Sequence, residues 1–306
     1  MPIYKRQTIR ALFWGMPGEF SFLVLEGLLK AGINFCGLVI SAAVDGGGMN
    51  PIIRLEPDPP HSQLPMNRPY LQRSITQLAW QNQVPVFEVR DLSSPAIGSE
   101  LAALDTDLAI VACFPRRIPE HILAIPSHGF INLHPSLLPE FRGPFPLFWF
   151  FRSGQQHTGI SVHYMDAGLD TGDIALQQEL SLPYGISGPQ ADALFATYGV
   201  SLLQTAYYRI SSGTLSRKPQ RRGGSRYSRP SAQDFHIPTS WSARRAYNFI
   251  CGTAEWRQPY RISGPGIDRS FRQALSFDTA ASQQEPILCD GHVCWIQFRS
   301  GLLHAR

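Results

Sequence analysis

Short apolar runs alternate with stretches of helical periodicity along the first two-thirds of the chain. Continuous apolar runs predict buried strands, whereas apolar residues that recur every three or four positions predict amphipathic helices. Strands are predicted at residues 8–14, 33–41, 84–89, 108–113 and 131–134, and helices at 19–31, 71–82, 144–151 and 189–211. This alternation predicts an α/β fold, a parallel sheet covered by helices on both faces. Ligands of such sheets bind outside the carboxyl ends of the strands.

The remaining segments predict how the chain is organised. Residues 42–70 are rich in Gly and Pro and are expected to form an irregular loop. Strands at 158–165 and 174–180 flank a loop that contains Asp170. A short helix at 242–252 and strand-like runs at 260–262, 287–289 and 293–298 predict a small β-rich, barrel-like module. We therefore expect a catalytic domain over 1–211, a polar Gly/Ser-containing linker over 212–235 and a small basic β-rich domain over 236–306.

The composition is that of a globular protein. The 306 residues are 43% hydrophobic and 16% charged, and no apolar run approaches the roughly 20 residues of a membrane span. The apolar stretch at 11–14 follows three basic residues but is too short for the apolar region of a signal peptide. A cytoplasmic protein without a membrane partner is expected.

Five cysteines are scattered along the chain, and their odd number argues against a disulfide framework. Reduced thiols are expected. Cys289, His292 and Cys294 form a cluster, but a zinc site would need a fourth ligand and a better spacing. Buried or half-buried residues on neighbouring strands are the favoured interpretation, and no metal is expected.

The charge is unevenly distributed. Residues 1–204 contain 12 Lys and Arg against 17 Asp and Glu, whereas residues 205–306 contain 15 against 6. A basic C-terminal third on an acidic body predicts a polyanionic partner, most simply nucleic acid. The alternative is an arginine-rich surface that only keeps the protein in solution.

Candidate chemistry lies at the end of the predicted strand 131–134. Asn132 and His134 are two positions apart, so both side chains point to the same side of the strand. Asp170 supplies a carboxylate from a separate loop. An amide N–H can stabilise an oxyanion, an imidazole can donate or relay a proton, and a carboxylate can accept the proton of an attacking amine.

These three groups suffice to move an acyl group onto an amine without a metal or a covalent nucleophile. Asp173 is assigned a structural or capping role. Each part also has an ordinary interpretation, because most isolated histidines are core residues and Asp-Thr-Gly occurs in common turns.

The pattern resembles a known family. It reads Asn132-x-His134-Pro-Ser-Leu-Leu-Pro-x-x-Arg142-Gly143, followed by Gly168-Leu-Asp170-Thr-Gly-Asp173-Ile. This is similar to the signature of the 10-formyltetrahydrofolate-dependent formyltransferases, and within them to the methionyl-tRNA formyltransferases. The resemblance covers most of residues 8–205 and extends more weakly into the C-terminal region.

The resemblance implies a Rossmann-like catalytic domain, a small OB-type β-barrel domain, 10-formyltetrahydrofolate as co-substrate, and Asn132, His134 and Asp170 as the catalytic set. It implies folate contacts on two loops and on the segment before Asp170. They are Phe114, Arg116, Ile118, Pro119, Ser136, Leu137, Leu138, Pro139 and Gly168. Acceptor contacts are expected at Gly15, Pro17, Arg142 and Gly143.

The sequence departs from the family pattern in two places. The segment 42–56 has a single basic residue, Arg54, where the tRNA enzymes have a basic insertion. The folate-side loop has Phe114 and Pro115 where Tyr and Gly are usual.

Four functions therefore stay open. Formyl transfer to methionyl-tRNA leads, with tRNA bound by the basic C-terminal module. The others are N-formylation of a nucleotide-linked amino sugar, hydrolysis of the formyl donor, and non-catalytic binding of RNA or another partner on a formyltransferase fold.

Overall fold

The computed structural model describes residues 9–42, 50–57 and 74–306. The chain divides into two compact units. The first contains Met1–Pro139, Ile160–Gln178 and Ala193–Gly223, and the second contains Glu140–Gly159, Glu179–Asp192 and Gly224–Arg306. The second unit therefore includes two segments of the predicted catalytic domain, 140–159 and 179–192. The functional boundaries at 211 and 235 stay predictions.

An eight-stranded sheet is formed by strands between residues 11 and 181. Its strands are β1 (Ala11–Gly15), β2 (Phe35–Ser41), β3 (Ile52–Leu55), β4 (Val86–Val89), β5 (Leu108–Ala112), β6 (Phe130–His134), β7 (His157–Tyr164) and β8 (Ile174–Ser181). Their order is β3-β4-β2-β1-β5-β6-β7-β8. The central strands from β4 to β6 pair in parallel. The predicted Rossmann-like α/β fold is therefore confirmed.

The helices follow the apolar periodicity of the sequence. They are α1 (Glu19–Lys30), α2 (Ile75–Gln81), α3 (Pro95–Ala102), α4 (Glu120–Leu123), α5 (Pro146–Ser153) and α6 (Gly188–Ser211). The core on one side of the sheet joins Trp14 of β1 and Val111 of β5 to Ile97 of α3 and Ile122 of α4. Because β1 and β5 are buried along their whole length, they carry continuous apolar runs.

The expected loop at 42–70 contains a strand, so that prediction was wrong at β3. Residues Ile52, Ile53 and Leu55 pair antiparallel with β4 at the edge of the sheet. Four residues are too few for their pattern to stand out between Gly and Pro, and the strand is stabilised by pairing with a distant segment. Residues 43–49, which include the glycines 46–48, and residues 58–73 lie outside the described residues, as does Thr8.

The second unit contains α7 (Ala243–Thr253) and two small sheets. β9 (His236–Pro238), β10 (Tyr260–Gly264) and β11 (Ile267–Phe271) form one, and β12 (Ala274–Asp278), β13 (Ile287–Asp290), β14 (Val293–Gln297) and β15 (Leu302–Ala305) form the other. All their pairings are antiparallel except that of β9 with β10. Phe249 of α7 packs against Phe148, Phe235 and Tyr260. The prediction of a β-rich C-terminal region is confirmed.

A disulfide joins Cys289 to Cys294. The expectation of reduced thiols was therefore wrong for this pair, whereas Cys36, Cys113 and Cys251 are not in a disulfide. The two partners lie directly opposite one another on β13 and β14. This register brings the two sulfurs together across the β13–β14 hairpin. Over residues 9–42, 50–57 and 74–306, no helix is long and apolar enough to cross a membrane.

Candidate active site

Asn132 and His134 project from the same face of β6, as their spacing predicts. Asn132 is half-buried, and His134 is only 4% exposed. β6 pairs in parallel with β5 on one side and antiparallel with β7 on the other. His134 is the last residue of β6. The two polar groups therefore lie at the carboxyl end of a central strand, where α/β folds bind ligands.

Asp170 reaches the same place from the loop between β7 and β8. Its Oδ1 lies 3.8 Å from Nδ1 of His134. The carboxylate side chain is 11% exposed, so it faces the interior of the site. An amide, an imidazole and a carboxylate from two separate stretches of the chain thus converge, as the sequence predicted. Their catalytic roles stay a proposal.

His163 is a fourth polar member that the sequence reasoning missed. It lies on β7 directly opposite Asn132. Its Nε2 is 3.1 Å from Nδ2 of Asn132 and 3.6 Å from Oδ1 of Asp170. The available signal was its position on the strand that leads into the Asp170 loop. The position of His163 points to the site only when the antiparallel register of β6 with β7 is known.

The protonation state of His163 follows from its surroundings. Burial lowers the pKa of His163 to about 4, although the carboxylate of Asp170 opposes this shift. At neutral pH the ring is therefore uncharged. Its Nδ1 lies 2.9 Å from the carbonyl oxygen of Tyr164, which can only accept, so the single ring proton is on Nδ1.

It follows that Nε2 of His163 accepts a hydrogen bond from the amide nitrogen of Asn132. This contact fixes which end of the Asn132 amide is the donor end. The second N–H of the same nitrogen then has a defined direction, as oxyanion stabilisation requires.

The loop that carries Asp170 is held by short-range contacts. Asp166 Oδ1 accepts hydrogen bonds from the backbone N–H of Gly168 at 3.0 Å and from the hydroxyl of Thr171 at 2.7 Å. The guanidinium of Arg117 donates to the carbonyl of Ala167. A side chain at Gly172 would place its Cβ 1.9 Å from the carbonyl oxygen of Tyr164. Asp170 itself has a φ of 55°, in the left-handed region that non-glycine residues rarely adopt.

The segment after His134 is anchored to β7 and β8. The hydroxyl of Ser161 donates to the carbonyl of Ser136 at 2.6 Å and accepts from the backbone N–H of Leu138 at 3.1 Å. Gln177 donates to the carbonyl of Leu138 at 2.9 Å. The predicted folate-contact residues Ser136, Leu137, Leu138 and Pro139 are thus fixed beside His134.

The other predicted folate contacts have structural partners of their own. Phe114 packs edge-on against Trp14 with 5.0 Å between the ring centroids. Arg116 donates to the carbonyl of Arg90 at 2.7 Å. Ile118 is 2% exposed, and Pro119 precedes the first residue of α4. Gly168 lies in the Asp170 loop, where a Cβ would meet Thr171. Their contact with a ligand stays a prediction.

The predicted acceptor contacts are divided between the two units. Gly15 is the last residue of β1, and Pro17 is exposed in the following turn. Arg142 and Gly143 belong to the second unit. Gly143 has a φ of 106° and passes so close to Tyr227 that a Cβ would lie 2.1 Å from its carbonyl oxygen. The roles of these residues in acceptor binding stay predictions.

Comparison with known proteins agrees with this geometry. A family model described as formyl transferase matches residues 55–184. The methionyl-tRNA formyltransferase of Acetivibrio thermocellus is 28% identical over 250 residues, which cover 81% of this chain and 74% of that protein. The enzyme of the same name from Pelotomaculum thermopropionicum is 31% identical over 250 residues, which cover 81% of this chain and 73% of that protein.

Among solved structures, the sugar 3N-formyl transferase WlaRD, obtained in the presence of dTDP and 5-N-formyl-THF, is similar with a TM-score of 0.68. It is 15% identical, and the match covers 98% of each chain, so it shows a shared fold. The sequence relatives carry the stronger conclusion, since one of them exceeds 30% identity over most of its length. The chain belongs to the formyl transferase family and is a formyltransferase enzyme.

Proposed function

We propose that this enzyme transfers a formyl group from 10-formyltetrahydrofolate to the amino group of methionyl-tRNA. The observation that carries the proposal is the convergence of Asn132, His134 and Asp170 beside one another at the carboxyl end of β6. Formylation of methionyl-tRNA would place the protein at translation initiation in the cytoplasm.

The proposed reaction forms one bond and breaks another. The amine nitrogen of the acceptor attacks the formyl carbon, and the bond between that carbon and N10 of the folate breaks. The carbonyl oxygen carries negative charge in between, and the N–H of Asn132 stabilises that charge. The amine loses one proton and N10 gains one, so a group that first accepts and then returns a proton serves both halves of the reaction.

Asp170 and His134 supply this proton path. With Oδ1 of Asp170 3.8 Å from Nδ1 of His134, the two groups are close enough to share a proton through small movements or one water molecule. His163, uncharged at neutral pH, orients the amide of Asn132. A low-dielectric setting strengthens each of these interactions, and His134 and His163 are both almost fully buried.

A tRNA acceptor is supported by the names of the sequence relatives and by the charge of the chain. Between residues 212 and 233 there is no acidic residue, and the basic ones are exposed. They are Arg217, Lys218, Arg221, Arg222, Arg226 and Arg229. In the second unit the rings of Trp149 and Tyr227 are stacked at 4.6 Å, and Arg229 lies over the partly exposed ring of Phe145. Proteins bind single-stranded nucleic acid through basic side chains, which contact the phosphates, and aromatic rings, on which the bases stack.

A nucleotide-linked amino sugar is the second candidate acceptor, and the similarity in fold to the sugar 3N-formyl transferase WlaRD supports it. Arg54, the one basic residue of segment 42–56, lies 3.2 Å from Glu56. Both side chains are exposed, so the pair is weak, but the carboxylate offsets part of the positive charge that this segment would offer to the phosphates of tRNA.

Mass spectrometry separates the two acceptors. The protein is incubated with 10-formyltetrahydrofolate and either methionyl-tRNA or a nucleotide-linked amino sugar, and the acceptor that gains one formyl group is identified. We expect formylated methionyl-tRNA. If only the sugar is formylated, the amino sugar replaces methionyl-tRNA as the proposed acceptor. If neither compound is formylated, both proposed acceptors are wrong.

Salt dependence of tRNA binding provides an independent test. Replacing Arg226 and Arg229 with Gln should weaken binding and reduce the slope of log affinity against log salt by about one for each lost phosphate contact. Lys30→Gln, which removes an exposed positive charge outside the basic third, is the control and should leave the slope unchanged. If Lys30→Gln reduces the slope as much as the changes at Arg226 and Arg229 do, the basic segment has no special role in tRNA binding.

A further inference from the structure

The segment at residues 214–220, here called the connecting segment, follows α6 and runs alongside the Asp170 loop. It contacts the residues that border the loop on both sides. The guanidinium of Arg217 lies 3.6 Å from the centroid of the Tyr164 ring, just before the loop. Lys218 exchanges two backbone hydrogen bonds, of 2.8 and 2.9 Å, with Ile174, just after the loop. The connecting segment therefore fixes both ends of the loop.

Gln220 contacts the middle of the loop. Its side-chain nitrogen donates to the carbonyl oxygens of Asp170 and Gly172, both at 2.8 Å. A primary amide nitrogen carries two hydrogens, so one side chain satisfies both acceptors. These carbonyls belong to the peptide groups that join Asp170 to Thr171 and Gly172 to Asp173. Their fixed direction restricts rotation of the backbone immediately after Asp170.

That restriction matters because Asp170 adopts a left-handed backbone conformation, with a φ of 55°. This region costs a non-glycine residue free energy, less for Asp than for most residues, and surrounding contacts offset that cost. The direction of the Asp170 carboxylate toward His134 and His163 depends on this φ, since the side chain leaves the backbone at the same Cα. Release of the loop would allow the backbone to relax and turn the carboxylate away.

We propose that Gln220 is a positioning residue that holds the Asp170 carboxylate toward the two histidines through the backbone of its loop. The inference about the reaction rests on the proposed function, whereas the inference about the loop does not. Gln220 acts through Asp170 and touches neither donor nor acceptor in this assignment.

Two substitutions distinguish loss of the donor from loss of packing. Gln220→Met keeps the length and neutrality of the side chain but removes both N–H groups. Gln220→Lys keeps a nitrogen donor. Because small misplacements of a catalytic group are costly, Gln220→Met should lower kcat about tenfold or more, with KM for the folate donor within about twofold. Gln220→Lys should recover most of the lost kcat. Ser216→Ala, exposed in the same segment, is the control.

A merely structural role predicts a different result in a double-mutant cycle. If Gln220 acts through the carboxylate, Gln220→Met should have less than about a twofold further effect on the residual rate of Asp170→Ala. Equal losses in both backgrounds would overturn the positioning role.

Hydrogen exchange tests the loop without any substrate. The amides of residues 166–173 should exchange about tenfold faster in Gln220→Met than in the unmodified protein, with those of β1 and β5 unchanged. Unchanged exchange in the loop would overturn the inference. If exchange accelerates in a protein that transfers no formyl group to any acceptor, the proposed function fails while the role of Gln220 in holding the loop stands.

Discussion

Asn132 and His163 face each other across β6 and β7, with Nδ2 of the amide 3.1 Å from Nε2 of the imidazole. The antiparallel register between the two strands places them there. Because the single proton of the buried ring is on Nδ1, the amide must present its N–H to Nε2. A strand pairing thus determines the direction of the hydrogen-bond donor on which the proposed chemistry depends.

Replacing His163 should therefore lower the rate of formyl transfer by misdirecting Asn132. His163→Leu removes the acceptor and should reduce kcat by about ten- to a hundredfold, whereas His163→Gln retains an acceptor oxygen and should lose less. Steady-state kinetics with both variants measures the difference. Equal rates for His163→Leu and the unmodified enzyme would show that Asn132 needs no such partner.

His163 should also make stability depend on pH. Its pKa is about 4 in the folded protein against 6.5 for an unperturbed histidine, so the unfolded state binds the additional proton between these values. Stability is therefore expected to fall as the pH drops from about 6.5 to about 4, by up to about 3 kcal/mol. Urea unfolding at several pH values measures this, and His163→Gln should flatten the dependence over the same range. If the free energy of unfolding of His163→Gln depends on pH as steeply as that of the unmodified protein, other groups cause the dependence.

Gly172 should not tolerate a side chain. A Cβ there would lie 1.9 Å from the carbonyl oxygen of Tyr164, which is backbone and cannot move aside cheaply. We expect Gly172→Ala to destabilise the protein by about 2 kcal/mol or more and to disturb the neighbouring Asp170. Gly98→Ala is the matched control, since it lies in α3 with open space around it and should be neutral or stabilising. Thermal melts measure the stability of both variants. Equal melting temperatures for Gly172→Ala and Gly98→Ala would contradict the expectation.

Ser161 should support folate binding through the segment after His134. Its buried hydroxyl bonds to Ser136 and Leu138, so Ser161→Ala leaves two backbone groups without this partner. The expected cost is about 1–3 kcal/mol in stability, with a higher KM for the folate donor. Thr205→Ala, which removes an exposed hydroxyl on α6, is the control. An unchanged KM for the folate donor in Ser161→Ala would show that the segment after His134 does not contribute to folate binding.

The sequence predicts the parts of the fold that depend on local pattern. The apolar runs of β1 and β5 and the periodicity of α1 identify these elements because burial on the sheet requires those residues. β3 and the Cys289–Cys294 disulfide were missed because both depend on pairing with another segment.

The same distinction applies to the site. Asn132 and His134 are found from their spacing on one strand, and Asp170 from a motif in a loop. His163 and Gln220 carry no motif, and their importance follows only from the register of β7 against β6 and from the path of the connecting segment. Long-range geometry supplies the residues that orient the predicted ones.

The most direct test of the account is the rate of formyl transfer from 10-formyltetrahydrofolate by Asn132→Ala, His134→Ala and Asp170→Ala, with melting curves to confirm folding. Each variant should remain folded and lose about a hundredfold or more in kcat. Folded variants that all transfer the formyl group at the rate of the unmodified enzyme would contradict the central claim that these three groups act on one formyl carbon.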